Sequence, residues 1–440
     1  QFEIDAAMDA LGMFTDYVNL TFEQVNSSAG ATFKLVKDTI GGGTLGYFYP
    51  PGDGPNEGVG VFASNGYGWT VNGLKQGGYG WITLIHEFGH GLGLAHPHDD
   101  GGTSTIMAGV SNSGDTGLHG LNQGVYTTMS YIDGWEESPY GTPTGANFGY
   151  QATAMALDIA MLQEKYGANV TNNDGNTVYR LPLANESGTY WSSIWDVGGT
   201  DTVHAAQATV DVVIDLRPAS IQYEVGGGGF LSYAYGIHGG FSVANGVEIE
   251  NATSGAGDDE LTGNHLNNRL SGRAGIDILY GLDGDDRLYG GSEDDTLIGG
   301  PGADKLYGGS GDNRYEFAEG DSLRTSADMI YGFNVGDVIS LGAHTFIGDS
   351  AFSGGGATEV RAIYNNGRYR LDIDRDGDGT LDERIWLQQI AEGLDVTSDG
   401  TDIGLEVTVA STFQRESPDA TDVEQMQITD FGFNEWTMIS

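Results

Sequence analysis

Residues 254–316 divide without remainder into seven nonapeptides: SGAGDDELT, GNHLNNRLS, GRAGIDILY, GLDGDDRLY, GGSEDDTLI, GGPGADKLY and GGSGDNRYE. Most repeats begin with glycine, the sixth position holds Asp or Asn, and the eighth holds Leu or Tyr. A period of nine with these residue types is the pattern of a parallel β-roll whose turns bind Ca²⁺. A flexible Gly/Asp-rich linker has no reason to keep leucine in phase, so the pattern predicts the roll.

The sixth and eighth positions have different predicted roles. The eighth residues, from Leu261 to Tyr315, should point inward and stack into a narrow core. If two nonapeptides make one coil, the sixth residues of alternate repeats form two columns of carboxylates, which repel one another without a cation. Calcium bound by these side chains and by turn carbonyls would convert repulsion into cohesion. We therefore predict several structural calcium ions with the following ligands: Asp259, Asp277, Asp286, Asp295 and Asp304.

The composition limits the class of partner. The 440 residues include 62 Asp or Glu but only 18 Lys or Arg, which gives a formal charge of −44. Such a surface repels phosphate backbones and anionic lipids, so we expect no nucleic-acid or membrane partner. The absence of cysteine excludes disulfides, thiol catalysis and Cys-ligated zinc. We expect a monomer.

The two halves of the chain differ in periodicity. Apolar residues recur at helical spacing in three segments, 4–18, 81–93 and 152–167. Helical periodicity ends near Asn172, where β-rich and turn-rich sequence begins. We therefore predict an α+β chain with one domain over 1–171 and an all-β roll and sandwich over 172–440.

The segment HEFGHGLGLAH, residues 86–96, fits the motif H-E-x-x-H-x-x-G-x-x-H. His86 and His90 share one face of a helix, and Gly93 permits a left-handed turn that returns His96 as a third ligand. Three imidazoles leave one zinc ion an open position, where a water molecule becomes a nucleophile near neutral pH. Glu87 lies beside the same face and is the predicted general base.

Further along, TTMSYIDGW places Met129 and Tyr131 in a short turn-prone segment. A long zinc motif followed by a methionine turn is the metzincin pattern. Together with the nonapeptides it resembles the serralysins, secreted bacterial zinc proteases. The segments LDIAMLQEKYGANVTNNDGNTVY, SIWDVGGTDTV and GVEIENATSGAGDDEL resemble that family in the same order.

The resemblance implies a zincin-like catalytic domain, with a twisted sheet plus helices, over 1–171. It implies His86, His90 and His96 as zinc ligands, Met129 as an apolar floor beneath the metal, and Tyr131 as a mobile fifth ligand that stabilises the oxyanion. It also implies an extracellular bacterial protein with a C-terminal secretion region. Asp-rich repeats that stay unfolded in a calcium-poor cytosol suit export through a type I secretion apparatus.

Two further calcium sites are candidates. The resemblance maps one onto two loops, with these ligands: the carbonyls of Asn173, Gly175, Thr177 and Gly198 and the carboxylates of Asp196 and Asp201. The second follows from the residues alone, because Asp372, Asp374, Asp376, Gly377 and Glu383 match an EF-hand loop expression. Its flanks, RYRLDI and ERIWLQ, are typical of strands, so a calcium-binding hairpin and a merely acidic hairpin both remain open.

The predicted activity is endopeptidase hydrolysis of protein substrates, with the substrate extended along an edge strand formed by GTLGYFYP, residues 43–50. Two alternatives belong to other classes. A calcium-dependent extracellular adhesin or structural protein would use the roll without the zinc motif. A zinc hydrolase that acts on esters or glycans would use the same motif on a different substrate.

Overall fold

The computed structural model describes residues 1–52, 54–100, 104–365, 368–389 and 394–407. Residues 408–440, where the predicted C-terminal secretion region falls, lie outside the described residues. The three helices expected from the apolar spacing are present, with ends shifted by one to four residues: α1 (Phe2–Thr15), α2 (Tyr79–Gly91) and α3 (Ala156–Tyr166). Two short 3₁₀ turns cover Gly54–Asn56 and Leu118–Gly120. Among the described residues, no helix combines the length and apolarity that crossing a bilayer requires.

A three-stranded sheet lies beside α2. Its strands are β1 (Lys34–Asp38), β2 (Gly46–Phe48) and β3 (Val59–Ala63), in the order β1-β3-β2. β1 runs parallel to β3, whereas β2 is antiparallel to it and forms one edge. The Phe88 ring of α2 packs on the sheet, with its centroid 6.4 Å from that of Phe48 and 6.0 Å from that of Phe62. These aromatic contacts hold α2 against the edge strand.

From Val178 onward, the described chain consists of strands joined by turns and loops. Its strands are β4 (Val178–Arg180), β5 (Trp191–Ile194), β6 (Thr202–His204), β7 (Val212–Asp215), β8 (Ser232–Ala234), β9 (Gly240–Val243), β10 (Asn251–Thr253), β11 (Glu260–Thr262), β12 (Arg269–Ala274), β13 (Ile278–Tyr280), β14 (Arg287–Ser292), β15 (Thr296–Ile298), β16 (Lys305–Ser310), β17 (Arg314–Glu316), β18 (Asp328–Tyr331), β19 (Val338–Ser340), β20 (Thr345–Phe346), β21 (Glu359–Asn365), β22 (Arg368–Asp374), β23 (Glu383–Gln388), β24 (Leu394–Ser398) and β25 (Asp402–Val407).

These strands form two eleven-stranded sheets. We call the sheet ordered β20-β21-β22-β23-β18-β16-β14-β12-β10-β6-β4 the first sheet, and the one ordered β24-β25-β19-β17-β15-β13-β11-β7-β8-β9-β5 the second. Successive nonapeptides contribute strands to alternate sheets, and each strand from β10 to β15 pairs in parallel with the strand 18 residues onward, as Leu270 does with Leu288. Two nonapeptides therefore make one coil, as predicted.

The roll core lies between the two sheets. The predicted core residues have no exposed surface: Leu261, Leu270, Leu279, Leu288, Leu297, Leu306 and Tyr315. Ile330 and Ile339 continue the two stacks on β18 and β19. The inward position predicted from the period of nine is therefore confirmed. A domain boundary between residues 171 and 172 stays a prediction, because the buried apolar cluster extends from α1 to the last strands of the roll.

Candidate metal centre

Helix α2 carries the first part of the zinc motif. Its apolar side, including Leu84, Ile85 and Phe88, is almost completely buried, and this leaves His86 and His90 together on another side. The two imidazole centroids are 4.9 Å apart. The helix ends at Gly91, and Gly93 then adopts a φ of 89°, which reverses the chain toward His96. The expected left-handed turn is therefore present.

The three histidines of the motif converge on one point. Nε2 of His96 lies 3.1 Å from Nε2 of His86 and 3.0 Å from Nε2 of His90. Each opposite ring nitrogen, Nδ1, faces an acceptor: the Thr128 carbonyl at 2.8 Å, the Leu94 carbonyl at 3.0 Å and the Asp99 carboxylate at 2.5 Å. These acceptors favour a proton on Nδ1, so the three Nε2 lone pairs face one another. A cation bound between them would relieve that repulsion, and zinc fits three nitrogen ligands.

The protonation state of the histidines suits a metal site. Burial lowers the pKa of His86 to about 3 and that of His90 to about 4, and neighbouring imidazoles add to both effects. Burial also lowers the pKa of His96, although Asp99 opposes the change. All three rings are therefore neutral near pH 7, which is the form that donates a lone pair to a metal.

Glu87 is a buried carboxylate beside this cluster. Burial raises its pKa to about 8, and its Oε2 has no hydrogen-bond partner among the described residues. Gly46 on the edge strand β2 packs against it, and a Cβ at Gly46 would lie 2.9 Å from Glu87 Cγ. A carboxylate with a raised pKa and an unpaired oxygen is suited to take up and release a proton near neutral pH.

The methionine turn lies against the same helix. Met129 is buried, and its Sδ is 2.7 Å from the point where a Cβ on Gly89 would stand, so only glycine allows this approach. The ring of Tyr131 is 55% exposed, with its centroid 4.5 Å from that of His96 and 5.7 Å from that of His86. The structure thus brings the predicted turn residues to the histidine cluster.

Three residues near the cluster were not selected from the sequence. Asp99 holds His96, and its position three residues onward in the same loop was the available signal. His98 stacks on His96 with centroids 5.0 Å apart and lies equally close to Tyr131. Asp158 on α3 supports the methionine turn, because its carboxylate accepts hydrogen bonds from Thr127 Oγ1, Thr128 N and Met155 N. No local pattern indicated Asp158.

The roll aspartates form two hydrogen-bonded columns. In each, a main-chain N–H donates to Oδ1 of the aspartate 18 residues onward, as Asp277 N does to Asp295. The other oxygen, Oδ2, is buried without a partner among the described residues in Asp277, Asp286, Asp295, Asp304 and Asp328. Burial raises the pKa of all five, to about 8, 8, 7, 7 and 9 respectively. Orphaned carboxylate oxygens of this kind are the ligands that Ca²⁺ takes.

At the two ends of the aspartate columns, the hydrogen bonds or the spacing between aspartates differ from those in the middle. Asp259 has both oxygens occupied, since Oδ1 accepts from Val212 N and Oδ2 from Gly255 N. Asp328 and Asp337 extend the columns, but each lies 24 residues after its predecessor because the chain between them is longer than two nonapeptides. The sequence period therefore could not identify them.

The residues predicted for the loop-to-loop calcium site lie on two loops that contact each other. Asp201 Oδ1 accepts from Thr177 N at 2.7 Å, and Asn176 Oδ1 accepts from Thr200 N at 3.0 Å, so the two loops meet. Asp201 Oδ2 is buried without a partner in the described chain, and burial raises the pKa of Asp201 to about 6. The other predicted ligands lie on the same two loops: Asn173, Gly175, Asp196 and Gly198. Glu250 accepts from Asp201 N and was not selected from the sequence.

The acidic hairpin requires a correction. The strands β22 and β23 pair antiparallel, as their composition indicated. Asp374 and Asp376 can place one oxygen each near a common point, but the third member of that group is Asp382. The Asp372 carboxylate instead forms ion pairs with three guanidinium groups, those of Arg361, Arg370 and Arg384. Glu383 pairs with Arg375. Asp372 is therefore unsuitable as a ligand, because its charge is already compensated on the sheet face.

Comparison with known proteins agrees with this architecture. The profile described as Peptidase M10 serralysin C terminal matches residues 166–391. Serralysin C of Dickeya chrysanthemi is 36% identical over 59% of this chain and 53% of its own length. Metallopeptidase AprA of Pseudomonas marginalis is 32% identical over the same shares. Serralysin of Proteus mirabilis is 33% identical over 44% of this chain and 38% of its own length.

The fold and the carboxylate columns define a parallel β-roll protein. Because the family profile covers just over half of the 440 residues, the chain belongs to the Peptidase M10 serralysin C-terminal family. The chain spans about half the length of the first relatives that it matches.

Proposed function

We propose that this protein is a secreted zinc-dependent endopeptidase with a calcium-stabilised β-roll. The observation that carries the proposal is the convergence of His86, His90 and His96, with each Nδ1 held by an acceptor. These three side chains would hold one Zn²⁺. When bound there, zinc would lower the pKa of a water molecule toward 7 and polarise the scissile carbonyl.

Glu87 would move the proton in this reaction. Its unpaired Oε2 and raised pKa allow it to accept a proton from the attacking water and then donate it to the leaving amine. Tyr131 would donate a hydrogen bond from its hydroxyl to the oxyanion that forms on the substrate, since its ring lies beside His86 and His96. Met129 would support the histidines from below through its contact with α2.

An extended polypeptide is the substrate that the edge of the small sheet favours. β2 is the edge strand closest to Glu87, and its free main-chain groups can pair with a substrate strand. The relatives that bear the names serralysin and metallopeptidase support the same class of reaction.

The β-roll would bind several Ca²⁺ ions between its coils. In a calcium-poor cytosol the aspartate columns would repel one another and oppose folding, whereas extracellular calcium would fold the roll. We propose export from a bacterial cell through a type I secretion apparatus on this basis, with the mature protein acting as an extracellular monomer.

The test is hydrolysis of casein by the protein loaded with zinc and calcium. Glu87→Gln keeps the volume of the side chain but removes the base, so activity should fall at least about 1,000-fold while zinc content stays at one per chain. Glu164→Gln, an exposed position on α3, is the matched control and should retain full activity. Undiminished casein hydrolysis by Glu87→Gln would contradict the assigned role.

The same assay separates the alternatives. An adhesin or structural roll protein would show no hydrolysis with or without a zinc chelator. A zinc hydrolase of another class would leave casein intact but cleave an ester or glycan in a chelator-sensitive way. Either result would overturn the endopeptidase proposal.

A further inference from the structure

The outer face of the first sheet carries an aligned row of cations. Arg269, Arg287 and Lys305 are register partners on β12, β14 and β16, so they stand side by side at the strand spacing of about 4.8 Å. None of the three forms an ion pair with another described residue. We call these three residues the basic row. Unpaired cations are notable in a chain with 62 acidic and 18 basic residues.

Three tyrosines lie beside the basic row. Tyr289, Tyr307 and Tyr331 stack face to face, with centroid separations of 4.7 and 4.6 Å and interplanar angles of 6° and 10°. The Arg269 guanidinium covers the free side of this stack, 4.0 Å from the Tyr289 ring centre. Both faces of Tyr289 and of Tyr307 are therefore covered, so these two half-buried rings present their edges rather than their faces to solvent.

The nonapeptide repeat does not by itself require a row of unpaired cations. The corresponding row on the second sheet consists of Val213, Glu260, Ile278, Thr296 and Arg314. Its one cation, Arg314, is paired with Glu316 and Asp402. Cations at the seventh repeat position therefore occur unpaired on one face of the roll and not on the other. The unpaired positive charge is therefore a feature of the first sheet and not of the repeat in general.

We propose that the basic row binds a linear polysaccharide that carries carboxylates. Such a polymer lies flat across the strands and presents one charge per sugar ring to cations spaced by one strand each. Tyrosine edges and hydroxyls can bond to sugar hydroxyl groups, whereas covered ring faces cannot stack on nucleic-acid bases. A peptide gains no strand pairing here, because β12, β14 and β16 are interior strands whose main-chain groups are already bonded.

The experiment measures binding of an end-labelled oligogalacturonate, short enough to stay soluble in calcium, to the full chain by fluorescence anisotropy. The triple variant R269Q/R287Q/K305Q should raise Kd at least about tenfold. The control K34Q/K75Q/R324Q removes the same number of exposed charges elsewhere and should change Kd less than about twofold. A maltooligosaccharide of equal length should not bind, and raising the salt concentration should weaken binding of the acidic probe.

Several results would overturn the proposal. They are an unchanged Kd for R269Q/R287Q/K305Q, an equal loss in the control variant, no binding of oligogalacturonate at all, or tighter binding of polyglutamate or single-stranded DNA. The melting temperature of both variants in calcium is also measured. A fall confined to R269Q/R287Q/K305Q would show that the basic row stabilises the roll, and would likewise reject the proposal. Cleavage of a short peptide should be the same in both variants.

Discussion

Replacement of Asp158 tests how α3 supports the metal centre. Its Oδ2 accepts from Thr128 N at 2.7 Å and from Met155 N at 3.0 Å, and its Oδ1 accepts from Thr127 Oγ1 at 2.6 Å. The Thr128 carbonyl accepts in turn from His86 Nδ1. Asp158 therefore holds the residue whose carbonyl orients His86, without touching the proposed zinc ion or the substrate.

The expected loss of stability can be calculated from the hydrogen-bond donors that lose their acceptor when Asp158 is replaced. Asp158→Ala leaves two buried main-chain N–H groups unsatisfied at about 2 kcal/mol each, which predicts a loss of about 4 kcal/mol in the free energy of unfolding. Asp158→Asn can keep its carbonyl oxygen on both N–H groups while the Thr127 hydroxyl rotates to accept from the amide. Only the charge assistance is lost, so we expect about 1–2 kcal/mol.

The two variants should also differ in zinc affinity. Loss of a group that orients a metal ligand typically weakens metal binding about 10- to 100-fold, and we expect this for Asp158→Ala. The assays are denaturant unfolding and competition for zinc with a chromophoric chelator. Glu164→Ala on the exposed side of α3 is the matched control and should alter neither quantity. If Asp158→Ala does not fold, Asp158→Asn still reports on zinc affinity.

Two outcomes for Asp158→Ala would contradict this role of the carboxylate. If Asp158→Ala binds zinc as tightly as the unaltered protein while losing stability, the carboxylate supports the fold but does not orient His86. If it loses neither stability nor affinity, the hydrogen bonds at Thr128 and Met155 are not formed in solution.

Three further predictions concern other parts of the molecule. Leu288→Ala should lower the free energy of unfolding of the calcium-loaded protein by about 2–5 kcal/mol, because this side chain is fully buried in the roll core; an unchanged denaturation midpoint would contradict the stacked core. Gly46→Ala should reduce kcat with zinc content unchanged, since the new Cβ would displace Glu87; steady-state kinetics and metal analysis check this. In chelator, the roll should be more stable at pH 5 than at pH 8.5, because the pKa of Asp277 and that of Asp286 are raised to about 8 and the neutral forms favour folding. The stability that these two protonated carboxyl groups contribute is lost as the pH rises through their raised pKa values. Circular dichroism at both pH values, with and without calcium, should show that calcium removes the difference in stability between pH 5 and pH 8.5.

The spacing of residues along the chain was sufficient to predict much of the candidate metal centre. His86, Glu87 and His90 are close because four residues complete about one helical turn, and this geometry does not depend on the rest of the fold. Gly93 likewise adopts a positive φ without steric cost, whatever the rest of the fold. In the roll, a period of nine places each eighth residue inside, and no long-range information is needed once two nonapeptides form a coil.

Pairing across the fold could not be inferred in the same way. Asp328 continues a carboxylate column only because a longer connection returns the chain to the same register. At the acidic hairpin, Asp382 rather than Asp372 joins Asp374 and Asp376, and Asp372 is neutralised by Arg370 on its own strand and by Arg361 and Arg384 on the two neighbouring strands. Both outcomes depend on which strands become neighbours.

The sequence by itself determined the helix-borne histidine pair, the inward leucines and the aspartate periodicity, because each arises from spacing within one element or one repeat. Only the tertiary structure decided that Asp158 orients the turn beside His86, that Gly46 admits Glu87, and that the basic row forms on one sheet. These arrangements join residues distant in the chain, and their positions are set by packing and strand register rather than by local conformational preference.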